Sequence, residues 1–228
     1  MSPELVLAGM PLGNTFDVTI RFLKAAESAD LIVCESRRVA QTLLKRHSIV
    51  RGDDDFAILN EHTGDDELQH LFTRCRQLQR IVLVSDAGMP VFADPGRKLL
   101  ELAEQTGFRI TVLPGASALT VALVRAGING AFYFAGFAPQ ESQSRRRFLA
   151  DLAKRKETVV LYETPYRLKK LVEELSTEFS ADEKVFVGID LSSDNEHIFR
   201  FRLKQANTVT GRLPKGAPVL IIDRSESS

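Results

Sequence analysis

Five short apolar runs constrain this chain more than any other feature: residues 5–8 (LVLA), 31–34 (LIVC), 56–59 (FAIL), 81–84 (IVLV) and 110–113 (ITVL). Each is too short for a helix and, Thr111 apart, apolar, which reads as a strand. Segments of helical period lie between them. Val18, Phe22, Leu23 and Ala26 share one helical face, and Val39, Leu43 and Leu44 share another. Leu68, Leu71, Phe72, Cys75 and Leu78 mark a third. Asp94 and Pro95 read as the N-cap and first position of a helix over 97–106, with Gly107 as its stop. This alternation predicts an α/β domain built on a parallel sheet.

The pattern changes beyond residue 114. A helix over 118–126 stops at Gly127 and leads to a strand over 132–137. Further strands are expected at 159–162, 185–189, 197–203, 208–213 and 219–222, the last four joined by short turns. Such spacing favours hairpins and a mixed sheet. The expected fold class is therefore α/β with two domains, residues 1–114 carrying the parallel sheet and 115–228 the mixed one. The RSESS tail at 224–228 reads as frayed.

A hydrophobic content of 44% supports packed cores, and 30 basic residues are cancelled by 30 acidic ones. Net charge therefore leaves no footprint of a nucleic-acid binder, and a polyanion would have to meet a local patch. No apolar run approaches the roughly 20 residues that span a bilayer, and the N-terminus lacks a basic segment followed by an apolar one. The reading is a cytoplasmic protein without membrane contact. Cys34 and Cys75 stand far apart, and His47, His62, His70 and His197 show no ligand spacing. Buried reduced thiols and no metal site are expected.

In a parallel α/β domain, ligands bind beyond the carboxyl ends of the strands. Four loops follow predicted strands and should rim that face: GMPLGN (9–14), CESRR (34–38), SDAGMPVFADPG (85–96) and PGAS (114–117). A fifth, ETPYR (163–167), follows a strand of the second half. The loop at 85–96 holds two glycines, two prolines and two aspartates, a composition that shapes backbone and supplies acceptors rather than building a core. Neither GxGxxG nor GxxxxGK[ST] occurs, which argues against a dinucleotide dehydrogenase and a P-loop NTPase.

Taken in order and spacing, MPLGN, ESRR, EHT, VSDAGMPVFADPG, PGASAL, GFAPQES, YETPYR, GIDLSS and GAPVLI resemble the SAM-dependent tetrapyrrole methylase superfamily. Within it, they look most like the ribosomal RNA small subunit methyltransferase I family of 2′-O-methyltransferases. The resemblance covers nearly the whole chain. It implies a two-domain methyltransferase, usually a homodimer, that folds S-adenosyl-L-methionine (SAM) into the cleft between a parallel-sheet domain and a mixed-sheet one. It places Pro11, Asp86, Gly88, Met89, Ser117 and Ala118 along the cofactor, with Tyr162, Gly188 and Pro218 closing over the adenine.

A hydroxyl acceptor needs a base, and Glu35, Glu61, His62, Asp190 and Glu196 are the rim candidates. Glu35 and Asp190 align with the family's glutamates in EDTR and RELTK and are the favoured catalytic pair. Departures fall on the acceptor side. Cationic positions of the family pattern are Ile189, Ser193, Gln140 and Glu141 here, and Ser36 and Arg37 replace the Asp and Thr of EDTR. Losing four cations weakens contacts to phosphate. Arg145, Arg146, Arg147, Lys154, Arg155, Lys156, Arg167, Lys169 and Lys170 retain basic potential, read first as solvated helix faces balanced by Asp151, Glu173 and Glu174. Three functions stay open: an RNA methyltransferase, a small-molecule methylase acting on a tetrapyrrole, and a SAM-binding protein without catalysis.

Overall fold

The computed structural model describes residues 2–225 and divides into two compact units, with the break between Ser117 and Ala118. The first unit alternates β1 (Glu4–Ala8), α1 (Ile20–Glu27), β2 (Leu31–Cys34), α2 (Arg37–Arg46) and β3 (Phe56–Ile58). It continues with α3 (Asp65–Cys75), β4 (Arg80–Leu83), α4 (Arg97–Gln105) and β5 (Arg109–Leu113). The strands form one parallel sheet in the order β3-β2-β4-β1-β5.

The period of two along each strand explains the layers. Val6, Ile32 and Val82 face Phe22 of α1 and Leu43 and Leu44 of α2, while Leu5, Leu31 and Ile81 face Leu68 and Phe72 of α3 and Leu99 of α4. From β1 the chain moves one way to β2, and from β4 it moves the other way past β1 to β5. The crevice at the carboxyl ends of β1 and β4 is thus the sheet's switch point.

The second unit comprises α5 (Ala118–Ala126), β6 (Phe132–Phe137), α6 (Ser142–Ala153), β7 (Thr158–Tyr162) and α7 (Leu168–Glu178). β8 (Lys184–Ile189), β9 (His197–Arg202), α8 (Ala206–Thr210) and β10 (Pro218–Asp223) complete it. Its sheet runs β6-β7-β10-β8-β9; β6 and β7 are parallel and every other neighbouring pair is antiparallel. α6, α7 and α8 cover one face through Leu149, Leu171 and Ala206, and α5 covers the other through Ala122. The mixed sheet is therefore as expected. Among the described residues no helix is long and apolar enough to cross a membrane.

Three expectations are corrected. The segment 208–213 is not a strand: α8 ends at Thr210 and a turn follows. Leu203, Ala206, Thr210 and Leu213 are the buried positions, a helical spacing that the Thr-Val-Thr alternation masked. Asp94 and Pro95 do not cap α4, whose N-cap is Gly96 at φ +114°. A side chain at Gly96 would place Cβ 2.9 Å from Leu83 Cδ2, so backbone freedom and close packing set that start. Val18 lies outside α1, which begins behind Thr19, whose hydroxyl accepts from Phe22 N at 3.1 Å. Of the tail read as frayed, residues 226–228 lie outside the described residues.

Candidate functional site

The first unit brings its four loops together by backbone contacts. After β1 and β4, Met10 N donates to Gly88 O at 2.8 Å and Gly88 N to Met10 O at 3.0 Å, an isolated antiparallel bridge with Gly88 at φ +79°. After β1 and β5, Gly9 and Gly115 touch backbone to backbone. A Cβ on Gly115 would lie 2.7 Å from Gly9 Cα, and one on Gly9 would lie 2.8 Å from both Gly115 Cα and Met89 Sδ. These glycines were not singled out from sequence. Their signal is a Gly within two residues of the end of each of two neighbouring strands, β1 and β5.

The loops after β2 and β4 are joined by a reciprocal pair of bonds. Asp86 N donates to Glu35 Oε1 at 3.1 Å, and Ser36 N donates to Asp86 Oδ1 at 3.0 Å. Both carboxyls are pushed up from their ordinary values by loss of water; for Glu35 the negative charges of Asp86 and Glu61 add to this. Asp94, first read as a helix cap, is the third member of the group. Burial raises it to about 7, the charges of Glu35 and Asp86 push the same way, and the Ser85 hydroxyl offsets part of the shift. Ser85 itself is buried, and its hydroxyl also donates to Ala87 O and Gly88 O at 3.2 and 3.1 Å.

A raised carboxyl favours folding only while protonated, so the folded chain holds a proton at Asp94 that the unfolded chain releases between about pH 4 and 7. Stability from this group therefore falls across that window as pH rises. Asp94→Asn should flatten the fall, raising stability at about pH 8 relative to wild type by about 1–2 kcal/mol, since the group keeps partial contact with water. Denaturant titrations at about pH 5 and 8 check this, and an unchanged pH slope counts against it.

Pro11 and Asp86 line one cavity of about 490 Å³, walled also by Leu12 and by Arg38, Thr42 and Arg46 of α2. Met89 is half-buried against Gly9. Of the other base candidates here, Glu61 and His62 are exposed and 3.6 Å apart. Cys34 and Cys75 are both buried and unbridged, and burial lifts their thiols to about 12 and about 11.

In the second unit Tyr162, Gly188 and Pro218 come to one end of three adjacent strands. Val219, next to Pro218, pairs with Tyr162 on one side and Gly188 on the other. Tyr162 stands edge-on to Phe134 and Phe137, with ring centroids 4.9 and 5.7 Å away, and shares an apolar cluster with Ala118. Gly188 leaves room for Leu191, whose Cδ2 would lie 2.7 Å from a Cβ there. Asp190, at φ +51°, accepts from Ala217 N at 2.7 Å and its own N donates to Ala217 O at 3.0 Å. Its carboxylate thus clamps the turn ahead of β10. Glu196 accepts from Arg125 Nε and Ser192 N.

Four of the basic residues flagged in this unit are held by acidic partners. Arg145 is buried and bidentate to Glu174 at 2.5 and 2.7 Å, Arg167 bonds Glu163 at 2.7 Å, and Arg146 and Lys154 pair with Glu178 and Asp151. Glu141, at a position that is cationic in the family pattern, instead caps α6 by accepting from Gln143 N and Ser144 N.

The sequence matches the family described as Tetrapyrrole (Corrin/Porphyrin) Methylases over residues 4–207. This chain belongs to the tetrapyrrole methylase family. As a tetrapyrrole methylase it has curated relatives named ribosomal RNA small subunit methyltransferase I. That of Leptospira borgpetersenii serovar Hardjo-bovis is 37% identical over 224 residues, 96% of this chain and 87% of the relative. That of Thermotoga maritima is 33% identical over 204 residues, 89% of this chain and 90% of the relative. The fold recurs in a cobalt precorrin-4 methyltransferase, at TM-score 0.70 and 20% identity, covering 96% of this chain and 93% of that one. It recurs also in a uroporphyrin-III C-methyltransferase from Thermus thermophilus complexed with S-adenosylhomocysteine, at TM-score 0.67 and 16% identity, covering 99% and 100%.

Proposed function

We propose that this tetrapyrrole methylase transfers a methyl group from SAM to a ribose 2′-hydroxyl of small-subunit ribosomal RNA, acting in the cytoplasm as a homodimer. The observation that carries the reading is the 37% identity, across 96% of the chain, to a relative named for ribosomal RNA. The donor set fits the cofactor. A sulfonium flanked by an amino-acid zwitterion and an adenosine wants a carboxylate, backbone acceptors and an apolar slot. Asp86, the glycine-lined loops at 9–14 and 114–117, and Met89 offer the first two, and Tyr162, Gly188 and Pro218 offer the third. Ser117 and Ala118 complete the set at the start of α5.

SAM supplies an electrophilic methyl group for in-line displacement. The chain's task is to align the acceptor, exclude water and take the hydroxyl proton. Glu35 is the base of choice, since loss of water and neighbouring negative charge raise its carboxyl toward the range where a base works near neutrality. Asp190, the second residue of the expected pair, holds the turn that carries Pro218.

Incubating the protein with methyl-labelled SAM and small-subunit RNA should give label in RNA, located on a ribose. Glu35→Gln should lower kcat by about 100-fold or more with little change in SAM affinity. Label entering a tetrapyrrole but not RNA overturns the acceptor, and full turnover by Glu35→Gln overturns the base.

A further inference from the structure

We propose that the groove between the 10–15 loop and α2 seats the RNA strand, with successive phosphates on Arg38 and Arg46 and a base stacked on Phe16. This assigns a binding site within the RNA-methylation reading and rests on it.

The groove is the cavity of about 490 Å³ described above, a volume that suits a nucleotide. Arg38, Thr42 and Arg46 recur every fourth residue of α2 and so line one face of the helix. The two arginines are eight residues apart, roughly 12 Å along the axis at about 1.5 Å per residue, far enough to meet different phosphates of one strand. Two nearby arginines are neutralised: Arg37 pairs with Asp53 at 3.1 Å and Arg51 with Asp55 at 3.2 Å. Arg38 and Arg46 are exposed, and their side chains make no ion pair or hydrogen bond among the described residues. In a chain of zero net charge, two unpaired arginines on one wall of a cavity form a local cationic track.

Beside this track Phe16 is 83% exposed and held in place rather than loose. Its ring stands edge-on to His47 at 6.2 Å, and His47 Nε2 lies 2.9 Å from Thr15 O. A braced, exposed aromatic next to arginines is the combination that single strands use for stacking and backbone contact. The one carboxylate in the wall, Asp86, orients the strand, because it repels phosphate and stands at the end of the groove given to the cofactor. Phosphates therefore lie toward α2, and the ribose faces Asp86 and its partner Glu35.

Fluorescence anisotropy with a labelled single-stranded RNA of roughly 12 nucleotides, over about 50–300 mM salt, tests the assignment. Each phosphate contact to a single strand contributes about 0.7 to the slope of log K against log salt. The double variant Arg38→Ala/Arg46→Ala should lose about 1.4 of that slope and bind about tenfold or more weakly at low salt. Phe16→Ala should bind about fivefold or more weakly with the slope kept. Lys204→Ala, in the other unit, should leave the slope at its wild-type value.

RNA methylation by wild type with an unchanged slope in the double variant overturns the groove and leaves the functional reading standing. RNA binding with the expected slope loss but no methyl transfer supports the groove and overturns the methylation reading. No RNA binding by wild type at low salt overturns both.

Discussion

Gly115→Ala is expected to weaken SAM binding about tenfold or more and to lower methyl transfer by about 100-fold. The cause is steric and local. The new Cβ would sit 2.7 Å from Gly9 Cα, and ordinary contact begins near 3.4 Å, so the loops after β1 and β5 must separate by about 0.7 Å. Both partners are backbone, and no side chain can rotate away. A displacement on the order of 1 Å at a site that works by alignment costs about 100-fold. Gly9→Ala should do the same and also press on Met89 Sδ at 2.8 Å. Calorimetric titration with SAM, beside far-UV circular dichroism to verify folding, checks the effect. Wild-type affinity in a folded Gly115→Ala protein would show that these loops do not hold the cofactor.

Glu163→Ala should lower the free energy of unfolding by about 3–5 kcal/mol, the cost of leaving a largely buried charge without its partner. The Glu163 side chain is fully buried, and its carboxylate accepts from Thr164 N at 2.7 Å and from Arg167 Nη2 at 2.7 Å. Arg167 is three-quarters buried, reaches Ala138 O, and has an Nε without a hydrogen-bond partner. Removing Glu163 strands that guanidinium. Arg167→Ala should cost at least as much, since it leaves the fully buried Glu163 carboxylate with Thr164 N alone. The double variant should fall well short of the sum. Additive losses in urea titrations would mean that the two residues act independently, against this account.

The ETPYR motif illustrates how sequence and structure divide the explanation. Its residues were legible as a loop after a strand, yet Arg167 looked like a cation available to a polyanion. Packing shows an arginine neutralised within its own motif and tied to the carbonyl after β6. Arg145 meets Glu174 across 29 residues of chain, a pairing no local pattern could announce. Asp94 was misread for a related reason: Asp-Pro is a strong local start signal, but Val91 at φ +73°, Ala93 at φ +60° and Gly96 at φ +114° carry the chain through left-handed turns before α4 begins. The half-buried carboxyl near Ser85 that results is a tertiary product.

Periodicity by itself determined the elements: continuous apolar runs made the central strands, the 3.6-residue spacing made most helices, and loop composition marked the strand ends where ligands gather. These are short-range properties, set by residues within a few positions of each other. The tertiary structure alone decided which glycines touch, which carboxyls crowd together and which arginines are left unpaired. Arg37, Arg38 and Arg46 are alike in the sequence, but only Arg37 finds an aspartate. Charge pairing depends on distances of a few ångströms between segments far apart in the chain, and those distances exist only once the sheet has brought its loops together.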